Sequence, residues 1–223
     1  MPVAAMASLN FPSPAPHDLV WLDDPASALA RAALPAWVSL PALHDTPLVV
    51  RRDGRRPGEI PVGLRGRTRA ERFGTWIAPS AIRRLVTPMD LAARRAWRKR
   101  PELTALPAIR ALEAIADRLD AAGVHWGVAG SAGFSLACAR NVLHADSDLD
   151  LVVKADRPLA AGHLQLLGEL QRTAPVRVDI QIATSYGGFS LLERLRSGGR
   201  VLLKTDHGPC LCDDPWQPSP CKS

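Results

Sequence analysis

From residue 106 onward, apolar positions recur at helix and strand periods in turn. Leu106, Ile109, Leu112, Ala116 and Leu119 share one helical face, and Gly123 is placed to end that helix. Beyond it the pattern predicts a strand at 124–128, a helix at 132–139 and a buried apolar strand at 149–153. A helix at 159–172, a period-two strand at 176–182, a helix at 188–196 and a strand at 200–203 follow. That alternation implies a mixed sheet covered by helices. Upstream the text changes, because residues 18–86 are short apolar runs broken by Pro and Gly. Segments 38–40, 48–50 and 60–64 read as brief strands, with the turn-rich 51–58 as a hairpin connection. Residues 88–100 read as a basic helix, and Pro101 and Pro107 then mark the joint between domains. The expected class is α+β. A flexible, proline-bearing leader at 1–16 precedes a small basic β-containing domain at 17–100, a mixed-sheet α/β domain at 101–216 and a tail at 217–223.

Composition narrows this picture. The chain has 223 residues, 47% of them hydrophobic and 22% charged, which fits two small globular domains and excludes wholesale disorder. No apolar run reaches the roughly 18–20 residues of a membrane span. The first residues lack the basic region of a signal peptide, and four cysteines are too few for a disulfide framework, so a cytoplasmic protein is expected. Charge is uneven: residues 51–100 hold 15 basic residues against 4 acidic ones, within a chain of net charge +6. Such a field favours a phosphate-rich ligand, nucleic acid or an acidic partner protein. His207, Cys210, Cys212 and Cys221 are a poor zinc set, because Cys-x-Cys is tighter than the usual ligand gap.

The chemistry concentrates in Val128-Ala129-Gly130-Ser131-Ala132-Gly133-Phe134 and Ser147-Asp148-Leu149-Asp150-Leu151. A strand ends at Gly130-Ser131 and a helix begins at once. Glycine lets an anion approach the backbone, and the free N–H groups and helix dipole favour negative charge there. The Ser131 hydroxyl is placed to bond a phosphate oxygen or to cap the helix. Asp148 and Asp150, one residue apart at a strand entrance, fall on one face, with Leu149 and Leu151 directed into the core. Asp179, in Val178-Asp179-Ile180-Gln181, brings a third carboxylate on a strand of alternating apolar residues. Three acids facing a Gly-Ser phosphate cradle suit Mg²⁺, a hard cation that takes oxygen ligands and bridges to phosphates.

A Gly-Ser turn, a helix, an Asp-x-Asp strand and a third Asp strand resemble the nucleotidyltransferase superfamily, although 16 residues separate Ser131 from Asp148. A closer resemblance rests on Ile60-Pro61-Val62-Gly63-Leu64-Arg65-Gly66, Arg69-Ala70-Glu71-Arg72-Phe73, the segment 130–151, Val178-Asp179-Ile180-Gln181, Leu202-Leu203-Lys204-Thr205-Asp206 and Asp214-Pro215-Trp216, in that order. The chain resembles the phosphoribosyl-dephospho-CoA transferases of malonate decarboxylase, its holo-acyl-carrier-protein synthases. The resemblance implies a donor, 2'-(5''-triphosphoribosyl)-3'-dephospho-CoA, and an acceptor serine on the acyl-carrier subunit of malonate decarboxylase, with neither nucleic acid nor a membrane as partner. It implies that Asp148 and Asp150 are the Mg²⁺-binding acids and that Gly130 and Ser131 hold the triphosphate. Asp179 is read as the third acid. Arg65, Arg67, Arg69 and Arg72 are candidates for contacts to donor phosphates or the carrier, and Lys204 is a weaker one. Two alternatives stand: a Mg²⁺-dependent nucleotidyltransferase using an ordinary nucleoside triphosphate, and a nucleic-acid-binding module built on the basic middle.

Overall fold

The computed structural model describes residues 12–54, 56–68 and 70–218. Most of the expected leader, Arg55, Arg69 and the last five residues of the tail lie outside them. No helix among the described residues is long and apolar enough to cross a membrane. The chain forms two compact units that divide after Val86, with residues 52–54 grouped with the second unit. Both contain sheet, and the class is α+β.

The N-terminal unit is an antiparallel five-stranded sheet. Its strands are β1 (Leu19–Leu22), then, after the one-turn helix α1 (Pro25–Ala28), β2 (Leu48–Val50), β3 (Ile60–Arg65), β4 (Arg72–Ile77) and β5 (Ile82–Val86), in the order β4-β3-β2-β1-β5. Segments 48–50 and 60–64 are strands as expected, and they pair antiparallel as the expected hairpin requires. Residues 38–40 are not a strand; they lead into a 3₁₀ turn at Pro41–His44. Three strands went unread because their sequences hide the period. All four residues of β1 are buried, so it shows no alternation. β4 is broken by Gly74, and β5 carries Arg83 and Arg84. The Arg84 guanidinium lies 4.3 Å from the Trp21 ring centroid, so the charge rides on an aromatic face while Ile82 and Val86 fill the core.

The second unit begins at α2 (Pro88–Ala93). Thr87 and Asp90 form a capping box around it, with Pro88 at the first helical position. The basic stretch 88–100 is not one helix, since Arg95 adopts a left-handed φ of 46° and a 3₁₀ turn follows at Ala96–Lys99. The segment belongs to this unit because its cations are spent within it. Arg95 pairs with Asp117 and Asp120, and Arg98 with Glu113. The Arg98 guanidinium and the Trp97 indole N–H hold the Glu113 carboxyl below its usual range. These acids lie on or near α3 (Pro107–Ala121), which buries Ile109, Leu112, Ala116 and Leu119 as its periodicity demands. Pro101 and Pro107 therefore punctuate the interior of a unit and do not separate two.

After α3 come β6 (Trp126–Val128), α4 (Gly130–Ala137), β7 (Leu149–Lys154), α5 (Ala161–Thr173), β8 (Val178–Ala183), β9 (Gly188–Ser190), α6 (Leu191–Ser197), β10 (Val201–Thr205) and β11 (Gly208–Cys212). They build a six-stranded mixed sheet, β11-β10-β9-β8-β7-β6, in which only β7 and β8 run parallel. Residues 188–190, read as the start of a helix, are a strand. β11 was not read at all, since Pro209 and two cysteines mask its pairing with β10.

Two features fasten this unit. The Arg100 guanidinium donates to the Ser135 and Cys138 carbonyls at the C-terminal end of α4, the latter at 2.6 Å, satisfying oxygens that the helix leaves open. Arg100→Met is expected to cost about 1.5–3 kcal/mol of unfolding free energy, read by urea denaturation, because those carbonyls lose a charged donor. Trp216 is buried, packs edge-on to Phe189 at 5.4 Å and donates its indole N–H to the Ala155 carbonyl at 2.9 Å. The Asp-Pro-Trp motif thus clasps the chain end to the exit of β7. Trp216→Ala should lower stability by about 3–5 kcal/mol in the same assay.

Candidate active site

The site is built at the end of the sheet where β7 and β8 begin. In the parallel ladder Asp150 is the register partner of Asp179, which sets the two Cα atoms about 4.8 Å apart with both side chains on one face. Burial alternates along β8, with Val178, Ile180 and Ile182 inside and Asp179 and Gln181 on the open face. The hydrophobic period fixes where the acids point: a one-residue slip in β8 would bury Asp179 and expose three aliphatic side chains.

Gly130 closes the arrangement from the side. Its φ is +60°, and a Cβ built on it would stand 1.7 Å from one Asp150 carboxylate oxygen and 2.8 Å from the Asp150 Cβ. Only glycine fits there, for conformation and for space alike. The Ala129 N–H also donates to the Asp150 carbonyl at 3.0 Å, tying the start of α4 to β7. The helix begins at Gly130, two residues earlier than the capping role for Ser131 would require. Ala129 is the N-cap, no side chain caps it, and Ser131 lies half-buried inside the first turn. The N-terminal turn of α4, which Ala129 does not cap, therefore lies beside the acids, where a helix start favours an anion.

Asp148 sits just before β7 and faces a cation: the Arg177 guanidinium is 3.7 Å from its carboxylate. Arg177 was missed in the sequence, although its place two residues before Asp179 on the parallel neighbour put it beside Asp148. The loop before Asp148 is tied down by the Ser147 hydroxyl, which accepts from the His144 N–H, and by buried Ser135, which accepts from the Val142 N–H.

Among the described residues no three His, Cys, Asp or Glu side chains form a ready-made metal cage. Mg²⁺ does not require one, because it is held by one or two carboxylates and completed by water and substrate phosphates. The in-register pair Asp150 and Asp179, with Asp148 beside it, is a hard-oxygen donor set of that kind.

The remaining expected site residues are elsewhere. Lys204 is exposed on β10 and lies in the row of Gly188 and Ala183. That row is about 13 Å up the sheet from Asp179 and about 9.6 Å across it, so Lys204 does not join the acids. Arg65 is half-buried on β3 of the N-terminal unit, opposite Arg72 on β4. Arg69 lies outside the described residues.

Comparison with known proteins gives a consistent result for both units. Residues 15–88 match the family described as the phosphoribosyl-dephospho-CoA transferase MdcG N-terminal domain, and residues 90–215 match the corresponding C-terminal domain. A phosphoribosyl-dephospho-CoA transferase of Klebsiella pneumoniae (strain 342) is 44% identical over 204 residues, covering 92% of this chain and 97% of that protein. Proteins of the same name from Pseudomonas putida (strain GB-1) and Pseudomonas aeruginosa are 40% and 39% identical, each over 92% of this chain and over 96% and 94% of their own lengths. No solved structure matches the chain.

Proposed function

Because the chain belongs to the phosphoribosyl-dephospho-CoA transferase family, we propose that it transfers the 2'-(5''-phosphoribosyl)-3'-dephospho-CoA group from the triphosphoribosyl donor to a serine of the malonate decarboxylase acyl-carrier protein. In this nucleotidyl-transfer type of reaction the serine oxygen attacks the innermost phosphorus of the triphosphate. A phosphodiester forms, the bond to the leaving diphosphate breaks with its electron pair on the diphosphate, and the serine proton is released. The observation that carries the reading is the in-register pair Asp150 and Asp179 against Gly130, at the start of a helix whose first N–H groups are uncapped.

The residues divide the work. The first turn of α4, with the Ser131 hydroxyl, binds and orients the phosphates. Asp148, Asp150 and Asp179 would hold Mg²⁺, which when bound neutralises phosphate charge and eases loss of the serine proton. Arg177 balances Asp148 in the resting site and is exposed enough to turn to an incoming phosphate. Arg65 and Arg69 add positive charge in the N-terminal unit for the donor phosphates or the carrier protein. The setting for such chemistry is the cytoplasm.

Diphosphate release in the presence of apo carrier tests the donor. Release is expected with the triphosphoribosyl donor and Mg²⁺, none with ATP, and none after chelation until Mg²⁺ is restored. Equal release with ATP would assign the site to an ordinary nucleotidyltransferase. Arg95, Arg98 and Arg100 of the second unit are engaged by the chain's own acids and carbonyls, so the nucleic-acid alternative would rest chiefly on the arginines of the N-terminal unit.

A further inference from the structure

A groove of about 600 Å³ runs between α5, α6 and the start of β8, and Asp179 forms part of its wall. Val178 faces the groove from the buried side of β8, so the groove opens at the start of that strand, one residue and one sheet face away from the Asp179 carboxylate. Its floor is apolar, formed by Leu164, Val178, Leu192 and Leu195. Leu192 is 36% exposed and Leu195 44%, although a larger residue facing Leu195 from the neighbouring helix could have covered it. Gly168 on α5 occupies that facing position. A Cβ there would stand 3.0 Å from the Leu195 Cδ1, so the groove is held open by a mid-helix glycine, a residue that otherwise weakens a helix. Around this floor stand three arginines, Arg172, Arg177 and Arg196. Arg177 is the partner of Asp148, whereas Arg172 and Arg196 make no ion pair among the described residues.

An apolar floor ringed by unpaired guanidinium groups suits a ligand with both an apolar stem and a compact anion. We infer that this groove holds the 3'-dephospho-CoA portion of the donor, with its diphosphate on Arg172 and Arg196 and its pantetheine stem on the leucine floor. The inference rests on the reading given under Proposed function. The chemistry of the donor supports the placement: its triphosphoribosyl group is attached at O2' and its diphosphate at O5' of one adenosine ribose. The two anionic groups therefore diverge from a single sugar, one toward the acids and one into the groove that Asp179 borders. The volume falls in the range of small-molecule sites, about 300–1,000 Å³. A docked carrier protein needs a contact area of about 800 Å² on each partner, more than this groove offers.

The test is calorimetric titration of the full-length protein with 3'-dephospho-CoA, which lacks the reacting triphosphoribosyl group. Four proteins are compared: the unaltered chain, Asp150→Asn, the double variant Arg172→Ala/Arg196→Ala, and Gly168→Leu, each checked for fold by circular dichroism. Binding should persist in Asp150→Asn and weaken at least tenfold in both the double arginine variant and Gly168→Leu. Adenosine diphosphate should bind more weakly than 3'-dephospho-CoA to the unaltered chain and be nearly insensitive to Gly168→Leu. Affinity unchanged in the arginine and glycine variants overturns the groove assignment, as does absence of binding by a protein that still transfers from the full donor. Those outcomes leave the transfer reading standing. A protein that neither binds 3'-dephospho-CoA nor transfers from the donor overturns both.

Discussion

Asp150→Asn is expected to reduce transfer by about 10³-fold while leaving the melting temperature unchanged or slightly raised. The two halves of this expectation have one cause. Asp150 and Asp179 are register partners on adjacent strands, so their carboxylates face one another on the same side of the sheet. Like charges placed directly across a ladder destabilise it, and replacing one by a neutral isostere relieves that repulsion. The apolar packing of β7 is untouched, because Leu149 and Leu151 carry its burial. On the proposed reading the reaction, however, loses a charge that would bind Mg²⁺ and position the phosphates. Steady-state diphosphate release together with thermal unfolding checks both halves. A variant that loses activity by unfolding would show a fallen melting temperature and would place Asp150 among structural residues.

Gly130→Ala is the second large effect. The new methyl group would overlap the Asp150 carboxylate and must also adopt a φ of +60° that alanine disfavours by about 1–2 kcal/mol. Either β7 shifts or Asp150 turns away, and a displacement near 1 Å at a reacting centre costs about 10²-fold in rate. Transfer is therefore expected to fall by about 10²-fold or more, with unfolding free energy lower by about 1–3 kcal/mol. Ser131→Ala, one residue on, meets no such clash and should retain the fold while losing the hydroxyl proposed to bond a donor phosphate. Comparing kcat and KM for the two variants separates a displaced acid from a lost contact: Gly130→Ala acts chiefly on kcat, and Ser131→Ala chiefly on KM for the donor.

Much of the second unit was legible because its hydrophobic periods are clean. The apolar face of 106–119 and the period-two run at 176–182 reappear as α3 and, starting two residues later, β8, and the Asp-x-Asp face follows from the alternation of Leu149 and Leu151. What the sequence could not supply is the partner of each strand. The opposition of Asp150 to Asp179 arises from parallel pairing between segments nearly thirty residues apart, and the seat of Gly130 under Asp150 from the antiparallel pairing of β6 with β7. The same gap in knowledge misplaced Lys204, whose row in the sheet depends on β9, a strand of three residues read as helix.

The division between the units was read too late because proline was weighed above capping. Pro101 and Pro107 punctuate the chain, yet Thr87-Pro88-Met89-Asp90 is the start signal that matters, a capping box with proline at the first helical position. Ion pairs then fold the basic segment onto α3, where composition alone had suggested an N-terminal surface. Charge was legible as a quantity and not as a location, since its location is decided by which acids the fold brings near.

The most direct measurement is the intact mass of the apo acyl-carrier subunit of malonate decarboxylase after incubation with this protein, Mg²⁺ and the triphosphoribosyl donor, beside an Asp148→Ala/Asp150→Ala control. The account predicts a mass increase of one phosphoribosyl-dephospho-CoA group on a single serine, absent from the control. An unchanged carrier mass, with donor and apo carrier both verified, would contradict it.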